Sequence, residues 1–255
     1  MKKLILSLFI LGLSFTSFAG ITVVSDLDDT LKITNSGDEI DGALNAAFRS
    51  DVFVGTTEFW MGLESYTNEQ HILSASPTVL RLKIQTTLKK HQIDYTSIIL
   101  KNYLVKEDKL TYKIRMILEV MKTNNDDFIF MGDDVGMDPE VYDYFSKNYP
   151  ERVLAIYIRP IQNRDLPKSS QVIYTNFDMA LSEYESGRMS ASWTEEVGSR
   201  VLSSAKLNHI IPEFAHCPKT DSPWKKQYRS DYGGIAKSIA QKLVNYCQLR
   251  SNLTR

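Results

Sequence analysis

The stretch "ITVVSDLDDTLK", starting at Ile21, sets three carboxylates, Asp26, Asp28 and Asp29, directly after a run of β-branched residues. A second acidic group follows another apolar run: "FIFMGDD" from Phe128 ends in Asp133 and Asp134, and Asp138 stands four residues beyond. Carboxylates repel one another and hydrate strongly, so several of them at strand ends need a common purpose. A shared cation is the simplest, and hard oxygen ligands select magnesium. An EF-hand calcium loop is excluded, because counting from Asp26 the positions that need glycine and glutamate hold Leu31 and Gly37. Hydroxyl groups accompany the acids: Thr30 in the first motif, Ser74 in "HILSAS" and Ser76 at its end.

These residues come from distant parts of the chain, and only a fold can gather them. "ITVVS", "HILSAS" from His71, "SIILK" from Ser97, "FIFMG" and "RVLAIYI" from Arg152 read as strands apolar on both faces, and "VIYTNF" from Val172 as an edge strand. Helical periods lie between them. Leu80, Ile84 and Leu88 mark Thr78–His91, and Leu110, Ile114, Ile117, Leu118 and Met121 mark Asp108–Met121. "DPEVYDYF" starts a further helix, with Pro139 where a missing N–H does no harm. This alternation predicts an α/β fold, a parallel sheet with helices on both faces. Ligands of such sheets bind outside the carboxyl ends of the strands, where the acids fall.

Two regions depart from the alternation. Residues 31–70 form a small insert or cap after the first strand. It holds a predicted helix, "EIDGALNAAF", and an aromatic piece, "DVFVGTTEFWMGL", that either lines a pocket for acyl chains or is the core of a lid. Residues 186–255 form a C-terminal helical extension, with helices near 194–205 and 233–249. "PWKKQYR" from Pro223 is either a solvated basic loop or a contact for anionic lipid heads. "DYGGIAKS" from Asp231 lacks the spacing of a phosphate-cradling loop and reads as a turn into the last helix.

"DLDDT" matches the DxDxT signature of haloacid-dehalogenase-like (HAD) phosphatases, Ser74 their second motif, Lys113 their third and "GDDVGMD" their fourth. With "SDLDDTLK", "LSASP", "GDDVGMDPEVY" and "AIYIR", the chain more closely resembles the catalytic domain of actin-patch-type phosphatidate phosphatases, from residue 21 to about 180. The resemblance implies a HAD-like Rossmannoid sheet and a magnesium-dependent phosphomonoesterase working through an aspartyl-phosphate. Asp26 would be the nucleophile, Asp28 the general acid and base, and Thr30 a brace of the loop. Ser74 and Lys113 would hold phosphate oxygens, although Lys106 and Lys109 compete with Lys113. Magnesium would sit on Asp26, the Asp28 carbonyl and Asp133, with Asp134 or Asp138 nearby. Ser76 and Arg159 are further candidates for substrate contact; alternatively, Ser76 only starts the following helix and Arg159 joins a structural ion pair. Asp138 is equally placed to cap a helix. Asp134-Val135 stand where the family pattern has Ser-Gly, so Asp134 either adds to the metal site or points away. The implied substrate is phosphatidate or a related lipid phosphate at a membrane surface. The alternatives are soluble esters such as nucleotide or sugar phosphates, or phospholipid binding without turnover.

Bulk features narrow the setting. Lys2 and Lys3, the apolar "LILSLFILGLSF" and the small residues Ser17 and Ala19 read as a signal peptide over residues 1–19, leaving residues 20–255 as one domain in a secreted or periplasmic protein. No later run is long and apolar enough for a transmembrane helix. Removing two lysines of 30 basic residues leaves 28 against 31 acids, a formal charge of −3, which gives no global attraction to nucleic acid. The two cysteines, Cys217 and Cys247, form one disulfide in an oxidising compartment or remain two buried thiols.

Overall fold

The structure, a computed structural model, describes residues 20–35 and 49–253; the predicted signal peptide and the predicted helix of residues 39–48 lie outside them. Six strands, β1 (Ile21–Ser25), β2 (Glu69–Pro77), β3 (Ser97–Lys101), β4 (Asp127–Asp133), β5 (Val153–Arg159) and β6 (Gln171–Val172), form one sheet in the order β3-β2-β1-β4-β5-β6. Every pairing is parallel. The acid-bearing strands β1 and β4 are therefore central neighbours, and β2 flanks β1. This placement brings the two acidic motifs together at one edge.

Side chains alternate across the sheet, as strand geometry requires. Val24, Leu73, Phe128, Phe130, Ile156 and Ile158 face one way, against helices α3 (Lys109–Thr123) and α4 (Asp138–Asn148). Val23, Ile72, Ile129, Met131 and Tyr157 face the other way. That face is covered by α1 (Thr56–Glu64), α2 (Arg81–Lys90), α5 (Asn176–Glu185), α6 (Ala191–Ser203) and α7 (Gly233–Leu253). Both faces are covered, which is why the strands read as unbroken apolar runs.

The structure decides between several readings of the sequence and shifts the bounds of others. Phe53, Phe59 and Trp60 of the aromatic piece are buried in the core beside Phe177 and Val197, so they do not line an acyl pocket. The Trp60 indole N–H donates to the Asp94 carbonyl at 2.5 Å and fixes α1 to the β2–β3 side. "VIYTNF" is strand only at Val172, because Thr175 and Asp178 make a reciprocal capping box that starts α5 at Asn176. On α3 the buried face is Tyr112, Lys113, Ile117, Val120 and Met121, turned from the predicted stripe, and Leu110, Ile114 and Leu118 are only partly buried. Trp224 of "PWKKQYR" is buried and donates to Asp178, which removes its ring from any lipid contact. "DYGGIAKS" is the turn into α7. Cys217 and Cys247 form a disulfide with Cα atoms 5.5 Å apart, tying the preceding loop to α7. Among the described residues no helix is long and apolar enough to cross a membrane.

Candidate active site

The three acids after β1 have three different fates, set by a tight turn. Leu31 and Lys32 donate backbone N–H groups to the Leu27 carbonyl at 3.0 and 2.9 Å, and Asp29 sits at the turn with a φ of 58°. The left-handed conformation is disfavoured for a side chain but tolerated by aspartate when local hydrogen bonds hold it. Here the Asp29 carboxylate accepts the N–H groups of Thr34 and Asn35 at 2.8 and 2.9 Å. Asp29 thus braces the loop, while Leu27 anchors it in the core. Asp26 and Asp28 are left pointing to the carboxyl edge of the sheet.

Asp26, Asp133 and Asp138 converge. One carboxylate oxygen from each lies within 4.8 Å of the others, and all three residues are buried. Asp133 comes from the end of β4, where its carboxylate accepts the Val135 N–H at 2.7 Å and the Thr30 hydroxyl at 3.3 Å. Asp138 opens α4 behind it; the residue preceding the helix is Met137, and Asp138 accepts instead from the Asp133 N–H at 3.4 Å. Gly132 permits this approach, since a Cβ there would stand 2.6 Å from the Asp138 side chain.

Lys113 settles the competition among the three lysines. Lys106 and Lys109 are exposed, whereas Lys113 is buried on the inner face of α3. Its ammonium donates to Asp26 at 2.7 Å and also to Asp138. Burial alone would lower its pKa, but Asp138 and Asp26 outweigh that and hold it above the ordinary lysine range. Burial pushes Asp26 up to about 8 although Lys113 pulls the other way, and Asp138 and Asp28 add to the rise. Asp133 is raised well above a normal carboxylate by burial and then by Asp138 and Asp26. Buried carboxylates that suppress one another's ionisation, ringed by oxygen donors, fit a hard divalent cation.

Asp28 stands apart from the cluster. Its carboxylate accepts the Ser76 hydroxyl at 2.8 Å and, at the limit of hydrogen-bond distance, the Ser74 hydroxyl at 3.5 Å. Its other oxygen, Oδ1, is buried with no hydrogen-bond partner and lies 3.8 Å from the Lys32 ammonium. Burial raises the pKa of Asp28, opposed by Lys32 and the Ser76 hydroxyl. A carboxyl group so placed is suited to carry a proton in and out. Lys32 is the site residue that sequence reasoning missed. It is buried, and burial lowers its pKa. A lysine four residues after Asp28 in the same loop was the available signal.

Two candidates lie elsewhere. Arg159 is buried under Phe53, 3.8 Å from the ring centre, and donates to the Tyr174 carbonyl, the Thr30 carbonyl and Asn176. Its side chain braces the loop from behind, which corrects the expectation of a substrate contact. Asp134 points away from the acids: its carboxylate accepts the N–H groups of Ile161, Gln162 and Arg164 at 2.7 to 2.9 Å. The extra acid shapes the loop after β5.

A parallel α/β sheet carrying an acid cluster, a buried lysine and paired serines at the carboxyl ends of its strands has the arrangement expected of a HAD-like phosphatase. Residues 21–160, 140 of the 255, match the family described as "Phosphatidate phosphatase APP1, catalytic domain", and the chain belongs to that family. A comparison with curated proteins gives no match. Chains from two solved structures are similar: one from "Structure of the Pnkp1/Rnl/Hen1 RNA repair complex" at 21% identity and one from "Structure of Pnkp1/Rnl/Hen1 complex" at 20%. The matches cover 51% and 52% of this chain and 40% and 44% of theirs, with TM-scores of 0.40 and 0.41. The chain thus spans less than half the length of either.

Proposed function

We propose that the protein is an exported, magnesium-dependent phosphomonoesterase that hydrolyses phosphatidate or a related lipid phosphate through an aspartyl-phosphate on Asp26. The observation that carries the reading is the buried lysine lying against Asp26 and Asp138, with Asp133 in the same cluster. Family membership supports the phosphatase activity and suggests the lipid substrate. The disulfide supports export, because such bonds persist in oxidising compartments.

Asp26, Asp133 and Asp138, with the Asp28 carbonyl, would hold the cation. When bound, magnesium supplies positive charge that offsets repulsion between a carboxylate and an anionic phosphate. The rest follows from the side chains. An Asp26 oxygen attacks phosphorus and the bond to the alkoxide breaks. Asp28, whose burial favours the protonated form, gives a proton to the leaving oxygen. The now ionised Asp28 takes a proton from water as the water attacks the aspartyl-phosphate, freeing inorganic phosphate and restoring both carboxyl groups. Lys113 stays charged throughout and, with Ser74, meets the negative charge on the transferring phosphoryl oxygens. Ser76 and Lys32 hold the Asp28 carboxylate in place.

The test is phosphate release with magnesium from phosphatidate, lysophosphatidate, a nucleotide and an aryl phosphate. The expected result is release from the lipids, abolished by Asp26→Asn. Preference for the nucleotide would remove the lipid assignment, and release equal to that of Asp26→Asn on all four would remove the enzyme.

A further inference from the structure

Large apolar side chains exposed on the described surface concentrate beside the site. Val79 lies on the turn that leaves the carboxyl end of β2, Leu82 in the first turn of α2 that follows it, and Tyr103, Leu104 and Val105 on the loop after β3; Leu104 is 92% and Val79 85% exposed. The loops are held side by side. Pro77 pairs with Lys101 where the strands end. The Tyr103 hydroxyl donates at 2.9 Å to the carbonyl of Ala75, the residue between Ser74 and Ser76. The short 3-10 turn Thr78–Leu80 packs Leu80 against the core and leaves Val79 and Leu82 in solvent. Single exposed apolar residues are ordinary, but neighbouring ones grouped at the edge of a site mark an interaction surface.

The same loops are locally cationic. Arg81, Lys83, Lys106 and Lys109 are exposed. Of the two acids there, Glu107 is paired with Arg115 and Asp108 caps α3. The whole chain has a net charge of −1, so the rim differs in sign from the chain taken together. Apolar side chains flanked by ammonium and guanidinium groups suit an anionic bilayer. The apolar groups enter the boundary between headgroups and acyl chains, and the cations meet the phosphates.

We propose that residues 77–83, from the end of β2 into the first turn of α2, and residues 101–109 after β3 are a rim that docks the site on an anionic lipid bilayer. The inference rests on the lipid-phosphate reading above and adds the surface that delivers the substrate. Docking places the headgroup layer beside Ser76, which donates to Asp28. A phosphomonoester standing proud of its neighbours can then reach Asp26 without leaving the membrane.

Vesicles of phosphatidylcholine with phosphatidylglycerol test the rim, because they offer an anionic surface without a phosphomonoester. The wild-type protein is expected to float with them at low salt and to be released as salt rises. The double variant Leu82→Ser with Leu104→Ser should bind on the order of tenfold more weakly, since both side chains lose their apolar contact with lipid. Its rate on a soluble aryl phosphate should equal that of the wild type. Lys83→Ala with Lys106→Ala should bind more weakly and with a flatter salt dependence. Undiminished vesicle binding by both variants overturns the proposal, even if phosphatidate is hydrolysed. Rim-dependent binding without hydrolysis of phosphatidate supports the rim and counts against the lipid-phosphatase reading instead. Self-association of the wild type without lipid, abolished by the leucine changes, overturns the proposal in favour of a contact between copies.

Discussion

Asp26 carries a conflict that a cation would relieve. Without metal its folded pKa is about 8 against an ordinary value of 3.8, with burial as the main cause. The folded state therefore keeps a proton that the unfolded chain releases as pH rises between these values. The stability from this group is complete below the lower value and is lost as pH rises through the upper one. In chelator, the thermal midpoint of the wild type should fall more steeply across this window than that of Asp26→Asn. Added magnesium should raise the midpoint more at about pH 8 than at about pH 5, because protons compete for its ligands. A metal effect independent of pH would contradict the cluster. Lys113→Met should remove detectable turnover and destabilise the metal-free protein by about 3 kcal/mol, as expected when one partner of a buried charge pair is lost; urea unfolding reads it.

At the scale of elements, each loop is built by a few side chains with a single task. Asp134 is buried and accepts three backbone N–H groups from the loop after β5. Asp134→Ala is expected to cost about 2 to 3 kcal/mol in urea unfolding by leaving those groups unpaired. Its magnesium affinity by calorimetry should stay within about twofold, because its oxygens face away from the cluster. A large fall in affinity would return Asp134 to the metal site. The disulfide closes a separation of 30 residues. Replacing both cysteines by serine should lower stability by about 3 to 4 kcal/mol in the chain-entropy account.

The strands and their acidic ends were legible, because runs buried on both faces stop abruptly at polar residues. Lys113 stood out from Lys106 and Lys109 only by its distance to the "FIFMG" strand, because helical period alone left the inner face of α3 open. In the structure, Lys113 shares that face with Tyr112 and Ile117. Asp29 has no role legible in its motif; its task as a turn brace depends on Thr34 and Asn35, which no spacing rule singles out. Arg159 ended a strand beside the acids, but whether it faced substrate or structure depended on the Thr30 and Tyr174 carbonyls that receive it.

Across the whole molecule, the family match ends at residue 160, but the core does not. Phe177, Val197, Val201, Ile239 and Leu243 share one cluster with Val23, Phe59 and Ile129 of the sheet side. A chain ending at residue 185 is therefore expected not to fold cooperatively, since α1 and α5 would lose their packing against α6, and α7 would go with it. Circular dichroism melts would show it, and a sharp two-state melt of that fragment would contradict it.

The central claim is that Asp26 is the group that takes the phosphoryl. Asp28→Asn should still bind substrate and metal but lose the base that activates water, so the covalent species should accumulate on an activated aryl phosphate. Rapid quenching and peptide mass spectrometry would locate it. The account expects one phosphoryl group on the peptide containing Asp26 in Asp28→Asn, and none on that peptide in Asp26→Asn. A phosphoryl group on any other residue, or full turnover by Asp26→Asn, would contradict it.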